Sequence, residues 1–218
     1  VYKSGAKEVY LMEEVMAAAI GSGLEVEKPE GAMIVDLGGG TSEMAVLSLG
    51  GIVVSNSVKI AGEKLDKDIV EYIKQKFNVI IGDGEAEEVK KQIGAATAAM
   101  TEDRMEVKGR NLLTGLPETI TVTTEDINEA MKDSLNEILR VIKLTLEQTP
   151  PELASDIMER GITLSGGLSL LRNIDRLISD ETGMPVFIAD DPEKCVVKGV
   201  GMALDNIEVL KKATKTRR

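Results

Sequence analysis

Between Ala32 and Ile60 three β-type runs follow one another, AMIVDL (32–37), TSEMAVLSL (41–49) and GIVVSNSVKI (51–60). Only glycine turns separate them. Gly38-Gly39-Gly40 joins the first pair, and Gly50-Gly51 is a hairpin signal between the second. After Ile60 the apolar period changes from 2 to 3.6, with Leu65, Ile69, Tyr72, Ile73 and Phe77 on one helical face. A second helix fits about 85–99, with Val89, Ile93 and Ala96 inward. Short strands at 105–110 and 118–122 flank a loop carrying Gly115 and Pro117. Thr123-x-x-Asp126 has the form of a capping box. It opens a long helix with Ile127, Met131, Leu135, Ile138 and Ile142 on one side, stopped by Pro150-Pro151.

The rest alternates: a strand at 161–164, a turn Ser165-Gly166-Gly167, and a helix with Leu171, Ile174, Leu177 and Ile178. A strand at 185–188 and a helix over about 192–210 follow. Three consecutive strands followed by strand–helix alternation point to an α/β fold, a mixed sheet with helices packed on it. Residues 64–122 read as a small α/β insertion. Upstream, Glu8–Met12 reads as a strand passing directly into an Ala-rich helix, Glu13–Gly21, ended by Gly21 and Gly23. The basic tail, with Lys211, Lys212, Lys215, Arg217 and Arg218, reads as a frayed, solvated terminus, with contact to anionic lipid as the alternative.

Apolar residues make up 43% of the 218, but aromatics only 2%, so the core is built from Val, Ile, Leu, Met and Ala. A net charge of −11 sets aside a sequence-general nucleic-acid binder, which must neutralise phosphates. Cys195 is the only cysteine, which excludes an intrachain disulfide and fits a reducing compartment. With no histidine, the commonest general base and zinc ligand are absent. No apolar run approaches the roughly 20 residues of a membrane span, and no signal peptide is visible. The chain begins at Val1 without Met, so the true start is expected upstream.

Four elements can carry chemistry. Asp36 ends a strand, where a carboxylate can hold Mg2+ directly or through water. Gly38, Gly39 and Gly40 let backbone N–H groups approach phosphate oxygens, and Thr41 adds a hydroxyl. The plainer reading is a tight turn capped by Asp36; because two strands flank it, it is no Walker loop. Thr163-Leu164-Ser165-Gly166-Gly167 also sits between strand and helix, suiting a phosphate or sugar, or serving only as an ordinary turn. Glu87 and Lys90 share a helix face, where a carboxylate can accept ribose hydroxyls and a lysine stem can pack on a purine. A solvated, salt-bridged face is the competing reading. Glu13 and Glu14 could position a water, or simply complement a helix dipole.

Six blocks in order, EVYLMEEVMAAAIG (8–21), MIVDLGGGTSEMAV (33–46), IAGEKLD (60–66), GRNLLTGLP (109–117), TPPELASDIMERGITLSGG (149–167) and LLRNIDRL (170–177), resemble the actin-like ATPases, and within them the MreB family. The resemblance implies an RNase H-like domain over 24–63 and 123–211, with an inserted subdomain over 64–122. Residues 1–23 would be the strand and connecting helix of an absent N-terminal half, and 212–218 a basic tail. It also implies cytoplasmic, ATP-dependent filaments beneath the membrane that organise wall synthesis and rod shape. Partners would be other filament subunits, the N-terminal half and membrane-anchored cell-shape proteins. By position, Asp36 matches the Mg2+-associated aspartate, and Gly38, Gly39 and Thr41 the phosphate contacts. Glu14 with Thr41 matches the water-orienting pair. Gly62 matches the ribose-side glycine, Glu87 and Lys90 the adenosine-side helix, and Gly166-Gly167 the adenosine loop. Two positions depart from the family: Val15 replaces a proline and Leu168 a third glycine. The resemblance further implies an ATP site with only one wall, and a strand at 8–12 that is disordered or pairs with another chain. The alternatives are a non-catalytic assembly module, or a piece of an Hsp70-type chaperone or sugar kinase.

Overall fold

The computed structural model describes residues 2–5, 8–97 and 103–205. Among these residues, eight strands form two sheets. The first contains β1 (Ala32–Leu37), β2 (Ser42–Ser48), β3 (Gly51–Val58), β7 (Ile162–Ser165) and β8 (Val186–Ile188), in the order β3-β2-β1-β7-β8. β1, β2 and β3 run antiparallel, whereas β7 pairs parallel to β1 and β8 parallel to β7. The second contains β4 (Val79–Ile80), β5 (Arg104–Asn111) and β6 (Pro117–Thr123), all antiparallel neighbours. This is the expected mixed sheet, with helices on it and a second, smaller sheet.

β1 reads as a continuous apolar run because both of its faces are covered. Met33, Val35 and Leu37 join one core with α2 (Gly62–Phe77) and α4 (Thr124–Glu147). Ile34 instead joins Ala45 and Leu47 beneath α1 (Glu14–Gly21). Strand alternation puts Asp36 in phase with Ile34, on the α1 side. The small sheet is not isolated: Val79, Val107 and Val122 belong to the same apolar cluster as Met33 and Ile142. That cluster also takes in Val89 and Ile93 of α3 (Asp83–Ile93).

α1 crosses α7 (Cys195–Asp205) backbone to backbone. A methyl group at Gly21 would lie 1.8 Å from the Cys195 carbonyl oxygen, and one at Gly199 would lie 1.8 Å from that of Ala17. Only glycine permits this approach.

Four local expectations need correction. Residues 8–13 form no strand; they run without regular structure into α1, and Leu11 stays 84% exposed because neither sheet offers them an edge. The hairpin turn is Leu49-Gly50, both at positive φ, and Gly51 already pairs with Ser48. α3 stops at Ile93, since Ala95 leaves the helix to bridge Arg172; residues 98 and 99 of that expectation lie outside the described ones. Leu171 precedes α6 (Ile174–Thr182) rather than lying in it, after a 3-10 turn over Gly167–Leu170. Past Asp205, the expected last helix also lies outside the described residues. Two elements went unread: β4, and α5 (Pro151–Arg160), which starts on the same proline pair that separates it from α4.

The Thr123/Asp126 box forms in both directions, and all five apolar residues assigned to the face of α4 are buried.

Candidate functional site

The ends of β1 and β7 lie side by side. Asp36 is in register with Ser165, whose hydroxyl donates to Asp36 Oδ1 at 2.6 Å. Burial pushes the Asp36 carboxyl above its ordinary range, and the Ser165 hydroxyl partly offsets this. Beyond Asp36 the chain closes a tight turn in which the Gly38 N–H donates to the Thr41 carbonyl at 3.0 Å. Gly166 has φ +83, and a Cβ there would lie 2.2 Å from the Leu37 carbonyl oxygen. Its glycine is therefore required by close approach to β1.

α2 starts directly on the glycine turn. The N–H groups of Gly62 and Glu63 donate to the carbonyls of Gly38 and Gly39, at 3.2 and 2.8 Å. These contacts hold the turn against the helix start and occupy two of its free amides. On α3, Lys90 is buried: its Nζ donates to the Gly62 carbonyl at 2.9 Å and pairs with Asp66 at 2.7 Å. Burial raises the Asp66 carboxyl despite this lysine. Glu87 is exposed and pairs with Lys91 at 2.7 Å, a hydrogen bond that holds its carboxyl below the usual range.

One cleft of about 630 Å³ gathers these elements. Gly38, Gly39, Gly62, Glu87, Lys90 and Gly167 all line it, so four chain segments converge there. The lining does not include the other expected residues. Asp36 and Gly166 sit one step back, at the strand ends that support it. Gly40 and Thr41 are exposed at the far side of the turn. Glu14 opens α1 on the other face of the sheet, where it, Asp36 and Glu13 add repulsion to the burial that raises Glu43.

Sequence reasoning missed Glu63, Asp66, Leu170, Leu171, Arg172 and Glu193, which also line the cleft. Asp66 lay within a quoted block, but its partner is 24 positions away and no spacing rule reaches it. Leu168 lines the cleft and is buried. No group of three or more His, Cys, Asp or Glu among the described residues is placed to hold a metal ion. No described helix is long and apolar enough to cross a membrane.

A mixed sheet flanked by helices, with glycine turns at two adjacent strand ends facing a common cleft, is the architecture of the actin-like ATPases. The chain belongs to the MreB/Mbl family: the family described as MreB/Mbl protein matches residues 1–212. It is 48% identical over 206 residues to the cell shape-determining protein MreB of Escherichia coli (strain K12), covering 94% of this chain and 59% of that one. It is 43% identical over 210 residues to Mbl of Bacillus subtilis (strain 168), covering 96% and 63%. Its structure is similar to MreB5 of Spiroplasma citri bound to AMPPNP, with a TM-score of 0.92 at 40% identity over 97% of this chain and 64% of that one. The MamK double helical filament shares the fold at 20% identity, with a TM-score of 0.74 over 88% and 58%. The chain therefore spans less than two thirds of the length of these relatives.

Proposed function

We propose that this chain forms one wall of the ATP site of an MreB-type, filament-forming cytoskeletal ATPase that organises cell-wall synthesis at the inner face of the membrane. The observation that carries this reading is the convergence of Gly38, Gly39, Gly62, Glu87, Lys90 and Gly167 on one cleft. MreB5 of Spiroplasma citri, solved with ADP and with AMPPNP, supports the nucleotide class.

The residues fit such a ligand. Gly62 lines the cleft between the Gly38-Gly39 turn and Lys90, and a Cβ there would stand 3.5 Å from both the Gly38 carbonyl oxygen and Lys90 Nζ. In this reading Gly38 and Gly39 cradle phosphate, Gly62 and Glu87 approach the ribose, and the Lys90 stem and Gly167 flank the base. Asp36 is a single carboxylate, which suits Mg2+, because that ion keeps several waters and takes its remaining oxygens from phosphates. When bound, Mg2+ neutralises phosphate charge. Glu14 and Thr41 would orient the attacking water. ATP hydrolysis needs the γ-phosphate held on several sides. The part of the relatives that this chain does not span would supply the opposite wall, in the division with residues 64–122 as an insertion.

Isothermal titration with Mg-ATP, paired with phosphate release, tests this. The expected result is saturable binding weaker than about 1 µM without steady turnover. Binding below 1 µM with steady turnover would overturn the single-wall reading, and no binding would overturn the nucleotide reading.

The assembly role has its own support. Asn111 Oδ1 accepts from the N–H groups of Leu113 and Thr114, fixing a hairpin tip that presents Leu112, Leu113 and Leu116 to solvent. Other copies of the chain are the proposed partners, and anchored cell-shape proteins would join them.

A further inference from the structure

The cleft has two facing walls at its base end: α3, and the segment from Gly167 to Arg172 after β7. Arg172 ties them together. Its Nε donates to the Gly94 carbonyl at 3.0 Å, at the C-terminal end of α3. Its Nη1 donates to Asp103 Oδ2 at 2.6 Å, just ahead of β5. Its backbone takes part as well: the Ala96 N–H donates to the Arg172 carbonyl at 2.8 Å, and Ala95 and Arg172 form an isolated parallel bridge.

Both anchor points are braced by the start of α4. Asn128 Nδ2 donates to the Ala95 carbonyl at 3.0 Å, and the Thr124 N–H donates to the Asp103 carbonyl at 3.0 Å. Glu87, Lys90 and Lys91 lie within the last two turns before Gly94, and all three line the cleft with Arg172. Moving Gly94 therefore moves these side chains relative to Gly167, Leu168 and Leu171.

We propose that Arg172 is a positioning residue that sets the width of the base end of the cleft, closing α3 onto a bound purine nucleotide. This rests on the nucleotide reading above and assigns the residue that fixes the second wall. A guanidinium suits the role, because its rigid fork reaches a carbonyl and a carboxylate at once, which a lysine ammonium on a flexible stem does not. Arg172 Nη2 is buried and meets no acceptor among the described residues. Such a group is unfavourable in a purely structural contact.

The coupling runs both ways: a ligand held between the walls must favour the clasped state, and the clasp must favour the ligand. Titration of Mg-ATP into the full chain and its Arg172→Lys variant is combined with hydrogen exchange at residues 94–97. In the unaltered chain Mg-ATP slows exchange of the Ala96 amide. In Arg172→Lys that slowing is lost and affinity falls about tenfold or more, the equivalent of one hydrogen bond to a charged group. Asp103→Asn, which leaves the arginine in place, gives the same loss in smaller measure and carries the test if Arg172→Lys does not fold. Unchanged affinity and unchanged protection of Ala96 in folded variants would overturn the clasp. Absence of Mg-ATP binding by the unaltered chain would overturn the nucleotide reading and the clasp's role with it.

Discussion

The Ser165 hydroxyl and the Asp36 carboxylate meet at 2.6 Å where β1 and β7 end together. Asp36 is buried, and the Ser165 hydroxyl, a neutral partner, offsets only part of the desolvation of its charge. A buried acid of this kind is expensive to keep ionised, and a bound cation would relieve it.

The first expectation concerns that cost. Because the folded carboxyl sits above its ordinary value, the folded state holds its proton longer than the unfolded chain. Stability contributed by this group is thus full below the unfolded pKa and declines as pH rises through the folded one. Asp36→Asn keeps the acceptor for Ser165 and removes the charge. It should raise the melting temperature at pH 7, and the gain should vanish near pH 3. Thermal denaturation across that range checks the direction.

Lys90 and Asp66 form the opposite case, a largely buried pair under the cleft. Lys90→Met leaves the carboxylate without its cation and should cost about 3 kcal/mol, the low end for breaking such a pair, since both groups keep slight solvent contact. Adding Asp66→Asn should recover most of the loss. Urea denaturation of the two variants measures the difference, and a single variant as stable as the parent would contradict the packing described.

Gly199 faces a backbone, not a flexible side chain. Gly199→Ala gains about 1 kcal/mol of helix propensity. It also forces a methyl group into the Ala17 carbonyl, at 1.8 Å. Since α1 and α7 must separate, the net effect should be destabilising by about 2 kcal/mol or more. Gly201→Ala, on the same helix with open space around it, should be neutral or stabilising.

Asp126 caps α4 and also meets Lys76. Burial raises its carboxyl, but Lys76 and the Thr123 N–H and hydroxyl outweigh that and hold it below its ordinary range. This contribution is therefore present above the unfolded pKa and is lost as pH falls through the folded one. Thr123→Ala should cost about 1 kcal/mol at pH 7, and Asp126→Asn should narrow its gap from the parent as pH drops below 4. Chemical denaturation at pH 7 and pH 3 gives both numbers.

Local periodicity and turn chemistry were enough to read the three-strand run, the helical faces of α2 and α4, the capping box and the glycine turns, because each depends on neighbours a few residues apart. The strand read at 8–12 failed for the converse reason: its apolar character is local, but a strand exists only where a sheet edge receives it. Likewise α3 ended early because Ala95 found Arg172, a partner no short-range pattern reveals.

What the sequence by itself determined was which segments carry glycine turns, amphipathic faces and the family's motifs, all set by steric freedom and side-chain spacing along the chain. Which of those residues share a cleft was decided by the tertiary structure alone. Parallel pairing of β1 with β7 brought Asp36 to Ser165, and the packing of α3 brought Lys90 to Asp66. Arg172 then joined the two walls. Contacts between residues dozens of positions apart depend on how sheets and helices pack, and that information is spread over the whole core.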